Sequence, residues 1–259
     1  MPAATLLQKA YGDFRAEAME SLLRLMCKGL EVQVKVKGAT AQGWVQVEVD
    51  GEDESVALQL LGNEFELAPT NIASIERFSV LRGKIVDSRR AADELLVDVG
   101  VFEPRVVHAK IRLQSLQAQL ADGQNIPLQR LTQLLCLYDH MPLYVKILGV
   151  GSYSENGGLL AELSERQLAL YTDWLRSMLD RLLILGATQR DVKHAVDASR
   201  HFRDVVRIES LGWLEHAVVC KLGTDAVGLI PAIGRMLRTA TLASFSPRKI
   251  REIIDRPVL

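Results

Sequence analysis

The chain has 259 residues, 48% of them hydrophobic and 24% charged, and its 31 Lys and Arg against 32 Asp and Glu leave a formal charge of −1. That composition excludes a disordered tail, and at roughly 100 to 200 residues per domain it implies two or three folded modules. No run approaches the roughly 20 apolar residues that span a bilayer, and Met1-Pro2-Ala3-Ala4 places no basic stretch before an apolar one. Cys27, Cys136 and Cys220 are odd in number and far apart, which gives neither a disulfide framework nor a CxxC site, so a cytoplasmic protein with no membrane partner is expected.

Near-neutrality hides a gradient. Residues 1–77 carry 7 Lys and Arg against 12 Asp and Glu, residues 78–150 carry 9 against 7, and residues 151–259 carry 15 against 13. Because phosphate responds to local potential, a nucleic-acid partner would meet the second and third segments.

In the first segment, residues 1–77, Thr5 to Tyr11 reads as extended. Asp13 is placed to cap a helix over residues 14–29, whose Met19, Leu22, Leu23, Met26 and Leu30 recur at helical spacing. Val32, Val34 and Val36 alternate with polar residues as a half-buried strand requires, Trp44 to Val49 supplies the next strand, and Val56 to Leu61 suggests a short helix. The order is a split βαββα module. Residues 68–75 read as a connector.

In the second segment, residues 78–150, the β-rich runs 79–86, 95–99 and 106–111 are separated by polar turns. Helices over 113–120 and 128–136 follow, the latter with Pro127 at its start, and 143–148 returns to strand; this pattern suggests a small barrel with a helical insertion. The run 149–158, with four glycines, reads as the boundary to the third segment. There, over residues 151–259, Ser164-Glu165-Arg166-Gln167 fits a capping box opening a helix to Leu185, and Thr188 caps a second helix. Residues 205–209 and 214–221 read as paired strands, and a final helical region follows Thr224, giving ααββα. That order resembles part of the first segment without any fixed-period repeat of residues. The fold class expected is therefore α+β in three modules.

Catalytic parts are absent from the sequence as motifs. The run Gly223 to Gly228 has the glycine spacing of a phosphate loop, but Leu229 and Ile230 stand where Lys and Ser or Thr must be. A turn that needs glycine is the simpler account, although such a turn opening a helix can also hold an anion on its amides. The five histidines are scattered, and His216 and Cys220, about 13 Å apart along one strand, cannot close a metal site. No cofactor is implied. The densest polar group is Arg200-His201-Phe202-Arg203, with Arg190, Lys193 and Arg207 around it and Lys221 on the partner strand. Arginine forks suit phosphate and Phe202 or His201 suits base stacking, while ion pairs to Asp191, Asp204 and Glu209 account for the same residues equally well.

Two resemblances add to this reading. Arg82-Gly83-Lys84-Ile85-Val86-Asp87, then Val97-Asp98-Val99-Gly100-Val101, resembles the opening strands of S1-type OB-fold RNA-binding domains, and His108 to Leu113 stands where such domains return. The resemblance implies RNA held on the barrel, with Lys84, Arg89, Arg90, Lys110 and Arg112 as phosphate contacts. Residues 89–96 lack the glycine and exposed aromatic that S1 domains carry there, so base stacking is not expected from this wall. The segments Leu185 to Val192, Arg203 to Val206 and Leu214 to Ala226, with Gly43-Trp44-Val45 and Gly51-Glu52-Asp53, resemble an uncharacterised archaeal conserved family, which implies an archaeal source.

The function expected is a non-catalytic RNA-binding or ribosome-associated factor. Its phosphate contacts lie in the barrel and at Arg200, Arg203 and Lys221, with His201 and Phe202 beside them as nucleic-acid-binding residues that could stack on a base. A protein-interaction adaptor and an RNA-processing enzyme with an unrecognised carboxylate site are the alternatives.

Overall fold

The computed structural model describes residues 3–90, 93–150 and 158–254. Its first unit runs β1 (Ala3–Lys9), α1 (Ala16–Met26), β2 (Val32–Ala39), β3 (Trp44–Gly51) and α2 (Glu54–Phe65). The strands form an antiparallel sheet in the order β1-β3-β2, and a Leu6–Leu67 bridge adds the stub of a fourth strand beside β1. Every second residue of β3, Val45, Val47 and Val49, is buried with Leu6, Met19, Leu23 and Leu61 between sheet and helices. Asp13 does not cap α1, whose N-cap is Arg15; its carboxylate accepts from Thr239 Oγ1 at 2.8 Å, far along the chain.

The connector 68–75 contributes β4 (Thr70–Asn71), which joins the central sheet parallel to β6. That sheet contains β5 (Val80–Val86), β6 (Glu94–Glu103), β7 (Val107–Arg112), β8 (Pro142–Val150) and β9 (Leu159–Leu163). They close in the cycle β5-β6-β7-β9-β8, with β7 and β9 parallel and the other barrel pairs antiparallel. This is the five-stranded OB-like order. Leu95, Val97, Val99, Ala109, Ile111, Val145 and Ala161 fill it, and α3 (Leu113–Leu120) and α4 (Leu128–Leu135) contribute Leu116, Leu120, Leu131 and Leu135 to the same core. Gly83 is explained by closure: a Cβ there would lie 2.5 Å from the Asp98 carbonyl oxygen and 2.6 Å from Val97 Cγ1. Residues 151–157 of the glycine-rich run lie outside the described residues, but its flanks Val150 and Leu159 pair with each other, so the run joins two barrel strands.

The third unit follows α5 (Glu165–Ser177), which Ser164 caps by accepting from the Gln167 N–H. It comprises β10 (Arg181–Leu185), α6 (Gln189–Ala198), β11 (Val205–Ser210), β12 (Glu215–Cys220), α7 (Ala226–Gly234), β13 (Thr241–Phe245) and α8 (Pro247–Ile253). The long helix expected to reach Leu185 ends eight residues earlier, at Ser177, with Met178 in the left-handed region as its cap, and Arg181 to Leu185 is a central strand. All five residues of that strand are buried, so it shows no alternation, and Leu175, Met178 and Leu182 imitate a helical stripe. The final helical region is likewise interrupted by β13, a short sheet-edge strand. The sheet order β11-β12-β10-β13 is the split βαββαβ arrangement, the order of the first unit with its fourth strand complete.

Candidate nucleic-acid interface and the polar junction beside it

One side of the terminal sheet packs on α6 and α7 through Leu182, Ile184, Val218 and Leu229. The other joins the barrel core through Leu183, Leu185, Ala217 and Phe245, together with Tyr171 and Trp174 of α5. Such a sheet face is a stacking platform when open; here it is sealed.

Three modules meet over the middle of β5 and β6. Lys84 and Asp98 are cross-strand partners on the barrel's outer wall and are both 1% exposed. Asp98 takes the Lys9 ammonium at 2.6 Å, the Trp44 indole N–H at 3.1 Å and the Gly100 N–H at 3.0 Å. Lys84 Nζ stands 2.5 Å from Glu215 Oε2, and Glu215 Oε1 accepts from the Tyr11 hydroxyl at 2.5 Å. The His140 ring stacks on Tyr11 at 3.8 Å. Arg82 donates to the Leu211 carbonyl and faces Glu66, which also accepts from Tyr144. Charges so buried persist only when paired. Burial outweighs the attraction of Glu215 and lowers Lys84 to about 8; burial likewise lowers His108, His140 and His216, and raises the Tyr11 hydroxyl with help from Glu215. Beside this network Gly12 and Gly186, both at positive φ, meet backbone to backbone, with the Asp13 N–H donating to the Gly186 carbonyl at 2.9 Å.

Lys84, expected on the RNA-facing surface, is therefore withdrawn from it: strand β5 turns it under the third unit, where Glu215 holds it. The other four barrel cations lie on β7 and in the turn that leads into β6 beside it. Lys110 and Arg112 alternate outward on β7, opposite Leu96 and Glu94 of β6. Lys110 lies 3.9 Å from Glu94 and is about one-third exposed, and Arg112 is exposed. Arg89 and Arg90 are exposed in the turn between β5 and β6, which is fixed by the Arg90 N–H to the Asp87 carbonyl and by the Ser88 N–H to Asp139. The Leu113 N–H donates to the Asp93 carbonyl and ties the end of β7 to the start of β6, below that turn. Asp87, Asp93 and Glu94 stand among the four cations, leaving one positive charge in excess.

The second expected group also assembles. Arg200, at φ 65°, ends α6, and the turn beyond it holds His201 Nδ1 2.8 Å from Asp204. Phe202 is 54% exposed with the Arg203 guanidinium 5.6 Å over its ring, and Lys221 joins them because its N–H donates to the Asp204 carbonyl. Arg190 stands about 15 Å away at the other end of α6, and Arg207 is engaged by Glu209 at 2.5 Å. The group lies at the end of β12 opposite Glu215, about 20 Å along the strand from the junction. The glycine turn before α7 is closed by its own carboxylates: Asp225 accepts from the Val227 N–H and Asp180 from the Ala226 N–H, which leaves no anion site on those amides. Among the described residues no three His, Cys, Asp or Glu side chains converge on a metal site, and no helix is long and apolar enough to cross a membrane.

Sequence reasoning missed Lys9, Tyr11, Trp44, Asp98 and Glu215. The available signal was a charged residue amid an otherwise apolar strand, as at Glu215-His216 before Ala217 to Cys220.

No curated protein matches the chain. Two family models do: the DUF2110 N-terminal domain over residues 3–71, which hold β1 to β4, and the DUF2110 C-terminal domain over residues 179–244, which hold β10 to all but the last residue of β13. With these matches on either side of the barrel and together covering just over half of its residues, the chain belongs to the DUF2110 family.

Proposed function

We propose that this protein is a non-catalytic RNA-binding or ribosome-associated factor that holds single-stranded RNA by its phosphates on the β6–β7 wall of the barrel. The observation that carries the reading is what the terminal units leave uncovered. They bury Lys84 and Asp98 in the middle of β5 and β6, while Arg89, Arg90 and Arg112 remain exposed on the loop and strands that OB folds use for oligonucleotides. Leu96 and Leu160 are apolar residues of that wall and, among the described residues, no Phe, Tyr or Trp stands beside them, so recognition rests on phosphate contacts and is indifferent to base sequence. The group around Arg203 and Lys221 is a second contact for a longer strand. A cytoplasmic, archaeal setting belongs to the same reading.

Fluorescence anisotropy of a labelled single-stranded RNA, titrated at several salt concentrations, tests it. Each phosphate contact on a single strand contributes about −0.7 to the slope of log K against log salt, so Arg89→Glu/Arg90→Glu/Arg112→Glu should flatten that slope by about 2. An unchanged slope removes the wall from the proposal. The adaptor reading draws on the exposed Phe202, Val206 and Leu222, and it predicts partners that survive ribonuclease treatment of a lysate.

A further inference from the structure

A cleft of about 950 Å3 opens where α1, the end of α2, the start of β8, α5 and the β11–β12 turn meet. Its size is that of a small-molecule site. One wall is polar and fixed. Tyr144 donates its hydroxyl to Glu66 Oε1 at 2.9 Å and its N–H to Gln167 Oε1 at 3.1 Å, which sets the plane of its ring. The Arg166 guanidinium lies 3.8 Å over that ring. Arg82, 5.7 Å from the same ring, faces Glu66 at 3.6 Å and donates through one terminal nitrogen to the Leu211 carbonyl, so although its buried Nε has no partner among the described residues, its charge is already paired. Arg166 is not: among the described residues its one interaction is the stack on Tyr144, and it makes neither a hydrogen bond nor an ion pair. A guanidinium held over a ring in this way keeps its N–H groups for another acceptor, and their planar fork is the geometry that takes an oxyanion in a two-point grip.

The rest of the lining selects among oxyanions. Phe65, Leu170, Leu211 and Trp213 give apolar surface. Glu66 is balanced by Arg82, and Glu64 and Asp173 add negative charge, so a doubly charged phosphate monoester meets about twice the repulsion that a single negative charge does. We propose that this cleft binds a small organic monocarboxylate with an apolar or aromatic body, its carboxylate on Arg166 and its body against Trp213 and Leu170. The site is independent of the RNA wall.

Trp213 lines the cleft, whereas Trp44 and Trp174 are 0% and 2% exposed and do not, so indole fluorescence reports occupancy. Titration of the full chain with 3-phenylpropionate should give a saturable change at millimolar concentration, the range for a ligand of so few atoms. The neutral 3-phenylpropionamide should give none, and phenyl phosphate should bind more weakly. Arg166 is exposed, so Arg166→Gln should keep the melting temperature and RNA affinity of the native chain while weakening the carboxylate about tenfold or more. Trp213→Phe should lose the optical change and retain the heat of binding in calorimetry. The proposal is overturned if the native chain shows no saturable change, if the amide binds as well as the acid, if phenyl phosphate binds more tightly, or if Arg166→Gln binds undiminished.

Discussion

Replacing Lys84 by Met removes one half of a pair buried at 1% and 0% exposure and leaves the Glu215 carboxylate with the Tyr11 hydroxyl alone. Breaking a buried pair from one side costs about 3–5 kcal/mol. A ceiling follows from proton uptake: a carboxyl with an ordinary value near 4.3 can be neutralised at pH 7 for about 3.7 kcal/mol. The expected loss is therefore about 3–4 kcal/mol, or about 6–16 °C in melting temperature for a chain of this size. The sign of its pH dependence is also fixed. In the variant the folded state binds the proton more tightly than the unfolded state, so stability falls as pH rises above about 4.3, and the deficit shrinks in mild acid. Lys84→Met/Glu215→Gln leaves no buried charge at this position, keeps an acceptor for Tyr11, and should recover most of the loss while abolishing that pH dependence. Calorimetric melting of the three proteins between about pH 5 and pH 8 measures all of this. A Lys84→Met protein as stable as the native chain at pH 7, or a deficit that does not vary with pH, would refute the reasoning.

His108, His140 and His216 border the same junction and are all lowered from 6.5, burial first, so their neutral forms are the folded ones. Their contribution is complete above about pH 6.5 and is lost as the pH falls toward their lowered values; melting temperature should drop across that window, less so in His140→Gln, and a flat profile contradicts the assignment. Gly12→Ala places a Cβ 2.6 Å from Gly186 Cα at φ 57° and should lower the melting temperature by at least about 2–4 °C, beyond the about 1 kcal/mol of left-handed backbone alone; an unchanged value would mean that the two units do not meet there. Arg200→Glu/Arg203→Glu should weaken binding of a long RNA more than of a short one without altering the melt, and unchanged binding at low salt removes the second contact.

Much of the fold is legible in the sequence because its devices are local. Ser164 and Thr188 cap the helices their spacing announces, and the alternating valines of β2 and β3 pair as read. The barrel is readable from Arg82-Gly83-Lys84, where glycine is required by the crossing of β5 over β6. What escapes are elements whose pattern is erased by burial on both faces, as in Arg181 to Leu185, and side chains whose role depends on another module. Lys84 and Arg112 each face outward from a barrel strand, and nothing local says that Glu215, more than 100 residues on, covers the first and leaves the second in solvent. The same holds for Arg166, which reads as the third residue of a capping box and comes to lie over Tyr144 only after β8 and α5 are packed together.

The terminal units seal the β5–β6 side of the barrel, and the proposed function assigns the uncovered β6–β7 wall to RNA. Hydrogen exchange of the full chain, with and without a saturating single-stranded RNA, tests it most directly. The account predicts strong protection around Lys9, Lys84 and Glu215 in both states, and new protection on RNA addition at residues 87–90, 94–97 and 109–113. Rapid exchange at the junction in the free protein, or RNA protection that bypasses the β6–β7 wall, would contradict it.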